Sequence, residues 1–238
     1  MRSRLLHLLA IGAVAAASVA LTACATARTP TSSTSGAAST TSEATSSTSG
    51  ATSSTSGAAS TTTYRATLDP LNNSKASGTV TLVLSGDQAT ITEQVSGLAA
   101  TFSGAPYPHV QHIHGGAKGV CPTQAADKNG DGVINVKEGM ASYGMIQTTL
   151  STVGDTSPSA ATSLTAAPSG GDFSYNRTIT LSADTIKSLQ EGTAVIVVHG
   201  LDPKTLSKKA QKEKSEIVPA LPLAATSPAL CGTLVKTQ

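Results

Sequence analysis

Short runs of β-prone residues, separated by Gly and Pro turns, recur along the chain after residue 63. Two of these runs are residues 78–84 and 88–95, and Ser-Gly-Asp at 85–87 between them has the composition of a hairpin turn. Further strands are predicted at residues 145–150, 173–181, 194–199 and 230–235. The pattern predicts an all-β fold, an antiparallel Greek-key β-sandwich or barrel with long loops.

Helical signals are few in this part of the chain. Residues 185–190 and their neighbours are predicted to form a short helix, with Ser182 or Asp184 as its N-cap. Aromatic residues make up 3% of the chain and tryptophan is absent, so the core must consist of Val, Leu, Ile and Ala. Residues 64–238 are numerous enough for one domain with its own core.

The N-terminal residues 1–23 have the layout of a secretory signal peptide, in which Arg2 and Arg4 precede an apolar run. The run ends in Leu-Thr-Ala-Cys at 21–24, which resembles a bacterial lipobox. We therefore expect a mature protein that begins at a lipidated Cys24 and is anchored to the cell membrane, on its extracytoplasmic side. The alternative is an ordinary secreted protein in which Cys24 only lies near the cleavage site.

Residues 24–63 consist almost entirely of Ser, Thr, Ala and Gly, and Ser-Ser-Thr-Ser-Gly occurs in them three times. Such a segment has too little apolar surface to offset the entropy lost on ordering. It is predicted to be a disordered tether between the anchor and the domain. The net charge of +2, without interleaved basic and aromatic residues, gives no indication of nucleic-acid binding. The sequence leaves the oligomeric state open.

Four histidines of the mature region are the candidate metal ligands. His109, His112 and His114 lie in one short segment, and His199 ends a β-prone run. On an extended strand, His112 and His114 project from one face and His109 from the other. Imidazole suits copper, zinc, iron and nickel, so the ligand type alone does not select the metal.

The order of motifs is more specific than the histidines alone. His-x-x-His-x-His-Gly at 109–115 is followed by Cys121, by Val-Val-His-Gly at 197–200 and by Leu-Cys-Gly-Thr-Leu at 230–234. This order resembles the copper/zinc superoxide dismutase family over roughly residues 64–238. The resemblance implies superoxide as a substrate and the following roles: copper ligation by His112, His114 and His199, a structural role for His109, and a disulfide between Cys121 and Cys231.

The chain departs from that family in two respects. No histidine lies between His114 and His199, so the bridging and zinc-binding histidines have no counterpart and zinc is not expected. Pro228 occupies the position of the arginine that binds superoxide. Two possible functions are compatible with these departures: a copper-only enzyme, or a non-enzymatic binding module of the chordin (CHRD) type. A copper-delivery protein is disfavoured, because such proteins usually present Met or Cys donors and this chain has three methionines.

A second motif, at residues 127–138, fits the EF-hand calcium loop. The predicted ligands are Asp127, Asn129, Asp131, the carbonyl of Val133, Asn135 and the bidentate Glu138. Cys121-Pro122 leaves too little room for an entering helix, and Gly139 and Gly144 should weaken an exiting one. We therefore expect a lone calcium loop inserted in a β domain, with an affinity of about 10⁻⁴ to 10⁻³ M. The alternative is a solvated turn.

A group of lysines follows His199 closely. Two interpretations of it are open: it attracts a small anion to the copper, or it is a solvated surface loop. The lysines are Lys204, Lys208, Lys209, Lys212 and Lys214.

Overall fold

The computed structural model describes residues 60–238. The predicted signal peptide, Cys24 and nearly all of the predicted tether lie outside the described residues. In the described part there are eleven strands: β1 (Thr61–Pro70), β2 (Ser77–Ser85), β3 (Gln88–Ser96), β4 (Thr101–Phe102), β5 (Ala105–Pro106), β6 (Gln111–Gly115), β7 (Met145–Thr149), β8 (Phe173–Thr180), β9 (Val195–His199), β10 (Pro228–Thr233) and β11 (Val235–Lys236). The helices are α1 (Val136–Tyr143), α2 (Ala183–Gln190) and α3 (Leu223–Thr226), and short 3₁₀ turns lie in the loops.

Nine of these strands form one curled antiparallel sheet, and β4 and β5 form a separate small hairpin. The sheet order is β7-β6-β9-β10-β1-β2-β3-β8, and β11 also pairs with β1. The predicted all-β class is therefore confirmed. The order places β6 next to β9, although more than seventy residues separate them in the chain.

The core lies on the concave face of the sheet. Side chains alternate between buried and exposed along β2 and β3, as expected for strands with one face on the core. Leu82 and Ile91 are completely buried there. By contrast, every residue of β6 and β9 is buried, because α1 and the long loops cover their second face. That second face carries the histidines.

The strand β1 was not among the predicted strands, and it lies in the middle of the sheet between β10 and β2. Helix α2 agrees with the prediction, and the Ser182 side chain accepts a hydrogen bond from the Thr185 N–H as its cap. The predicted hairpin turn after β2 is present, with Gly86 at a φ of 62°. No helix within residues 60–238 is long and apolar enough to cross a membrane.

Helix α1 contradicts the expectation that glycines would weaken a helix after the 127–138 loop. Asn135 and Glu138 form a reciprocal capping box at its start, which offsets the low helix propensity of glycine. Gly139 is needed inside the helix because a Cβ atom there would collide with the Tyr143 ring. Gly144 ends the helix with a φ of 89°. Before the loop only a 3₁₀ turn at Gln124–Ala126 is present, in agreement with the lack of room for a helix.

Candidate metal centre

The neighbouring strands β6 and β9 bring the three predicted ligands together. His112 lies opposite Val197 in the antiparallel register, and His114 lies opposite Val195. Since residues two apart share a face, His199 projects from the same side as Val197 and reaches the β6 histidines. The ring centroids of His112 and His199 are 5.1 Å apart, those of His112 and His114 5.6 Å, and those of His114 and His199 6.1 Å.

Each of the three rings uses one nitrogen to donate to a backbone carbonyl. The contacts are His112 Nε2 to Ala161 O at 3.0 Å, His114 Nδ1 to Gly144 O at 3.0 Å and His199 Nδ1 to Thr226 O at 2.7 Å. Because a carbonyl oxygen only accepts, the bonded nitrogen must carry the proton and the other nitrogen has a free lone pair. These other nitrogens are buried and have no hydrogen-bond partner: Nδ1 of His112, Nε2 of His114 and Nε2 of His199.

The arrangement keeps all three rings neutral. Burial, together with the neighbouring His199, lowers the pKa of His114 to about 3. Burial likewise lowers the pKa of His199 to about 4, and burial with repulsion from the other two rings brings the pKa of His112 well below its usual range. Each ring can offer one ligand nitrogen such that the three lie within 4.8 Å of one another. Neutral imidazoles with free lone pairs at this spacing can hold a metal ion.

His109 is not a member of this group, but its ring contacts the backbone of His199. Its Nδ1 is 2.9 Å from the carbonyl oxygen of His199, and its Nε2 is 3.0 Å from that of Ala99. Both carbonyls raise the pKa of His109, but burial has the larger effect and the pKa is lowered. Gly200, the residue after His199, has a φ of 110°, and a Cβ atom there would lie 2.6 Å from the His109 Nδ1. The glycine therefore allows the ring to pack against the end of β9.

The centre is closed to solvent. The three rings are 1% to 3% exposed, and the carbonyl of Ala161, from the long loop between β7 and β8, covers His112. The loop between β7 and β8 therefore folds back over β6 and closes the centre, and no motif in the sequence indicates this. The exposed lysines after His199 do not donate to the histidine rings; Lys209 donates to the carbonyl of Asn129 at 2.9 Å instead.

A disulfide joins Cys121 and Cys231, as predicted. Their Cα atoms are 5.8 Å apart and the two residues are 110 positions apart in the chain. Cys231 belongs to β10 and packs in a small cluster with Val197 and Tyr143. The disulfide thus holds the loop after β6 against the strand next to β9.

In the 127–138 loop, the predicted calcium ligands accept hydrogen bonds from the backbone of the loop itself. The Asp127 carboxylate accepts from Gly130 and Gly132, and the Asp131 carboxylate accepts from Val133. The Glu138 carboxylate accepts from the N–H groups of Lys128, Asn129 and Asn135, so it connects the start of the motif with its end. Since a carboxylate has about four lone-pair positions, those of Asp127 and Asp131 keep capacity for a cation. Oε1 of Glu138 already accepts from two N–H groups, so binding a cation with both oxygens of Glu138 requires competition with them.

The segment after His199 packs against this loop, which the sequence did not indicate. The Ser207 hydroxyl donates to the carbonyl of Asp131 at 2.9 Å. A side-chain hydrogen bond with Asp131 raises the pKa of Glu213, so this carboxyl approaches the loop from outside the motif. Sequence spacing gives no signal for such a neighbour, because it is about eighty positions away in the chain.

No protein-family profile matches this chain, and no curated protein matches it either.

Proposed function

We propose that this protein is an extracytoplasmic copper-binding protein of the superoxide dismutase-like type, anchored to the membrane by Cys24. The observation that supports this best is the set of three unpartnered ring nitrogens of His112, His114 and His199. A buried polar atom without a partner costs about 1 to 3 kcal/mol. Three such atoms on neighbouring rings, each ring with a ligand nitrogen within 4.8 Å of the others, are explained if a metal ion satisfies them together. The disulfide, which the resemblance also implies, supports the same proposal.

Copper is the metal that we propose for the centre. The donors are three neutral imidazoles, without carboxylate or thiolate among the residues of the group. Among divalent first-row metals, copper binds a given set of nitrogen donors most tightly. When bound, copper would supply a one-electron redox couple, which superoxide dismutation requires. The chain has no second group of histidines for zinc.

The residues around the histidines would orient them and exclude water. The carbonyls of Ala161, Gly144 and Thr226 select the ring tautomers, and such partners commonly change metal affinity 10- to 100-fold when they are lost. Superoxide is the substrate that we propose. The closed centre restricts access to very small molecules.

The test is copper binding and superoxide dismutation by the full-length chain. We expect one copper per chain and turnover above that of free copper, and we expect His199→Ala to lose both. Met145→Leu is the matched control, because Met145 is exposed and near β6 but is not a member of the histidine group. Equal copper binding by wild type and His199→Ala would contradict the proposal.

A second candidate function is a non-enzymatic CHRD-like binding module at the cell surface. The closed centre and Pro228 at the position of the substrate-binding arginine favour it. Tight copper binding without dismutation, or no copper binding, would support this candidate.

We also propose that the 127–138 loop binds calcium through Asp127, Asn129, Asp131, Val133, Asn135 and Glu138. At 10 mM calcium and an affinity of about 10⁻⁴ to 10⁻³ M, binding should stabilise the fold by about 1.4 to 2.7 kcal/mol. A thermal melt of the metal-stripped chain with calcium or with magnesium measures this. Glu138→Gln should lose the calcium-specific shift, and an unchanged shift in this variant would place the calcium elsewhere.

A further inference from the structure

Helix α1 begins in the 127–138 loop. Oε1 of Glu138 accepts hydrogen bonds from the N–H groups of Lys128 at 2.8 Å and Asn129 at 3.2 Å. Oε2 accepts from the N–H of Asn135 at 3.0 Å, and the Asn135 side chain accepts from the N–H of Glu138 at 3.0 Å. One carboxylate therefore connects the start of the loop with the first turn of the helix.

The other end of the same helix contacts the histidine centre twice. Tyr143 is completely buried, and its ring lies edge-on to the His114 ring at a centroid distance of 4.6 Å. The carbonyl of the next residue, Gly144, accepts from Nδ1 of His114 at 3.0 Å. The orientation and the tautomer of His114 are thus both set by residues at the end of α1.

The helix is short and internally braced, so its two ends should move together. It has eight residues, or about 12 Å at a rise of about 1.5 Å per residue. The Tyr143 hydroxyl donates to the carbonyl of Val136 at 3.1 Å, which connects the last residue of the helix to its first. Gly139 leaves the space that the Tyr143 ring occupies.

We propose that α1 couples the 127–138 loop to the histidine centre and that Tyr143 is the positioning residue through which His114 responds. This inference rests on the proposed function, because it concerns regulation of the same centre. A cation held by Glu138 must compete with the three N–H groups that this carboxylate now accepts from. The first turn of α1 then shifts, and Tyr143 and Gly144 shift with it. Coupling of this kind is reciprocal and typically changes affinity about 5- to 150-fold.

The experiment measures copper affinity of the full-length protein by competition with a chelator, in 10 mM calcium chloride and in 10 mM magnesium chloride. The copper(II) electron paramagnetic resonance spectrum is recorded in both solutions. We expect calcium to tighten copper binding about tenfold and to change the copper spectrum, within the usual range of coupling between sites. Tyr143→Phe keeps the aromatic ring beside His114 but loses the hydroxyl bond to Val136, so it should retain a reduced response. Tyr143→Leu removes the ring and should lose the response while still binding copper.

Two further variants complete the test. Glu138→Gln should lose the calcium response, whereas Glu191→Gln, an exposed carboxylate change beyond α2, should respond as wild type does. An unchanged copper affinity and spectrum on addition of calcium would overturn the coupling while leaving the copper proposal intact. A full response in Tyr143→Leu would overturn the role of Tyr143. If wild type and His199→Ala bind copper equally, the proposed function itself fails, and the coupling fails with it.

Discussion

Glu93 is a fully buried carboxyl in the interior of the sheet, on the concave face of β3. Gln111 approaches it and lowers its pKa, but neither carboxyl oxygen has a hydrogen-bond partner of normal geometry. Burial is the dominant effect and raises the pKa of Glu93 from 4.5 to about 8. The protein should therefore fold with this carboxyl protonated at neutral pH.

The sign of the pH dependence follows from this shift. Above pH 4.5 the unfolded chain ionises Glu93, whereas the folded chain keeps the proton until about pH 8. Stability is therefore greatest below 4.5, as far as this group is concerned, and falls as pH rises to about 8. At about 1.4 kcal/mol for each pKa unit, the total loss is about 5 kcal/mol.

Glu93→Gln tests the prediction, because glutamine has the same shape and cannot ionise. Urea unfolding of wild type and variant at pH 4.5, 7 and 9 gives the two free energies of unfolding. We expect a difference near zero at pH 4.5, and we expect the variant to be more stable by up to about 5 kcal/mol at pH 9. Glu191→Gln serves as the exposed control, with no such trend expected. A difference between Glu93→Gln and wild type that is independent of pH would contradict the raised pKa of Glu93.

Three further predictions concern the histidines, the disulfide and one glycine. In the metal-free chain, the lowered pKa of His114 means that stability is present above pH 6.5 and is lost as pH falls towards about 3. His114→Gln should therefore lose about 3 kcal/mol less stability than wild type between pH 6.5 and 4 in urea unfolding, and equal losses would contradict the shift. Reduction of the disulfide Cys121–Cys231 should cost about 4 to 5 kcal/mol, as chain entropy predicts for a loop of this length, and denaturation with and without reductant measures it. Gly200→Ala should destabilise the fold by about 1 to 3 kcal/mol, because φ is positive and the Cβ meets His109; a thermal melt unchanged from wild type would be inconsistent with this contact.

The two buried ionisable systems act in opposite directions. The histidines penalise folding below pH 6.5, and Glu93 penalises it above pH 4.5. Because three histidines outweigh one carboxyl where the two ranges overlap, the metal-free fold should be most stable near pH 6.5. Gln111 lies next to both groups. Its side chain approaches Glu93 from β6, and it directly precedes His112 in the chain. Metal binding should extend the acid-side loss of stability to lower pH, because a bound metal keeps these nitrogens unprotonated in the folded chain while the unfolded chain still takes up protons.

Local patterns in the chain determined much of the fold. β-prone runs bounded by Gly and Pro correctly predicted β2, β3, β7, β8 and β9 to within one or two residues, because strand pattern and turn chemistry depend on neighbours in sequence. The same local rule placed His112 and His114 on one face. The strand β1 escaped prediction because it continues a Ser- and Thr-rich segment and its strand character depends on β2 and β10 beside it.

The assembly of the candidate centre depends on long-range packing. The register of β6 with β9 brings His199 to the other two rings, and strand register between distant segments cannot be read from either segment alone. The carbonyls that select the ring tautomers come from three separate places in the chain, namely the β7–β8 loop, the end of α1 and the last residue of α3. Since every residue has a carbonyl, no sequence signal marks those three. Local sequence patterns thus specify which side chains can bind metal and on which strand face they lie. The long-range packing determined that their lone pairs meet in a buried centre, with α1 between that centre and the 127–138 loop.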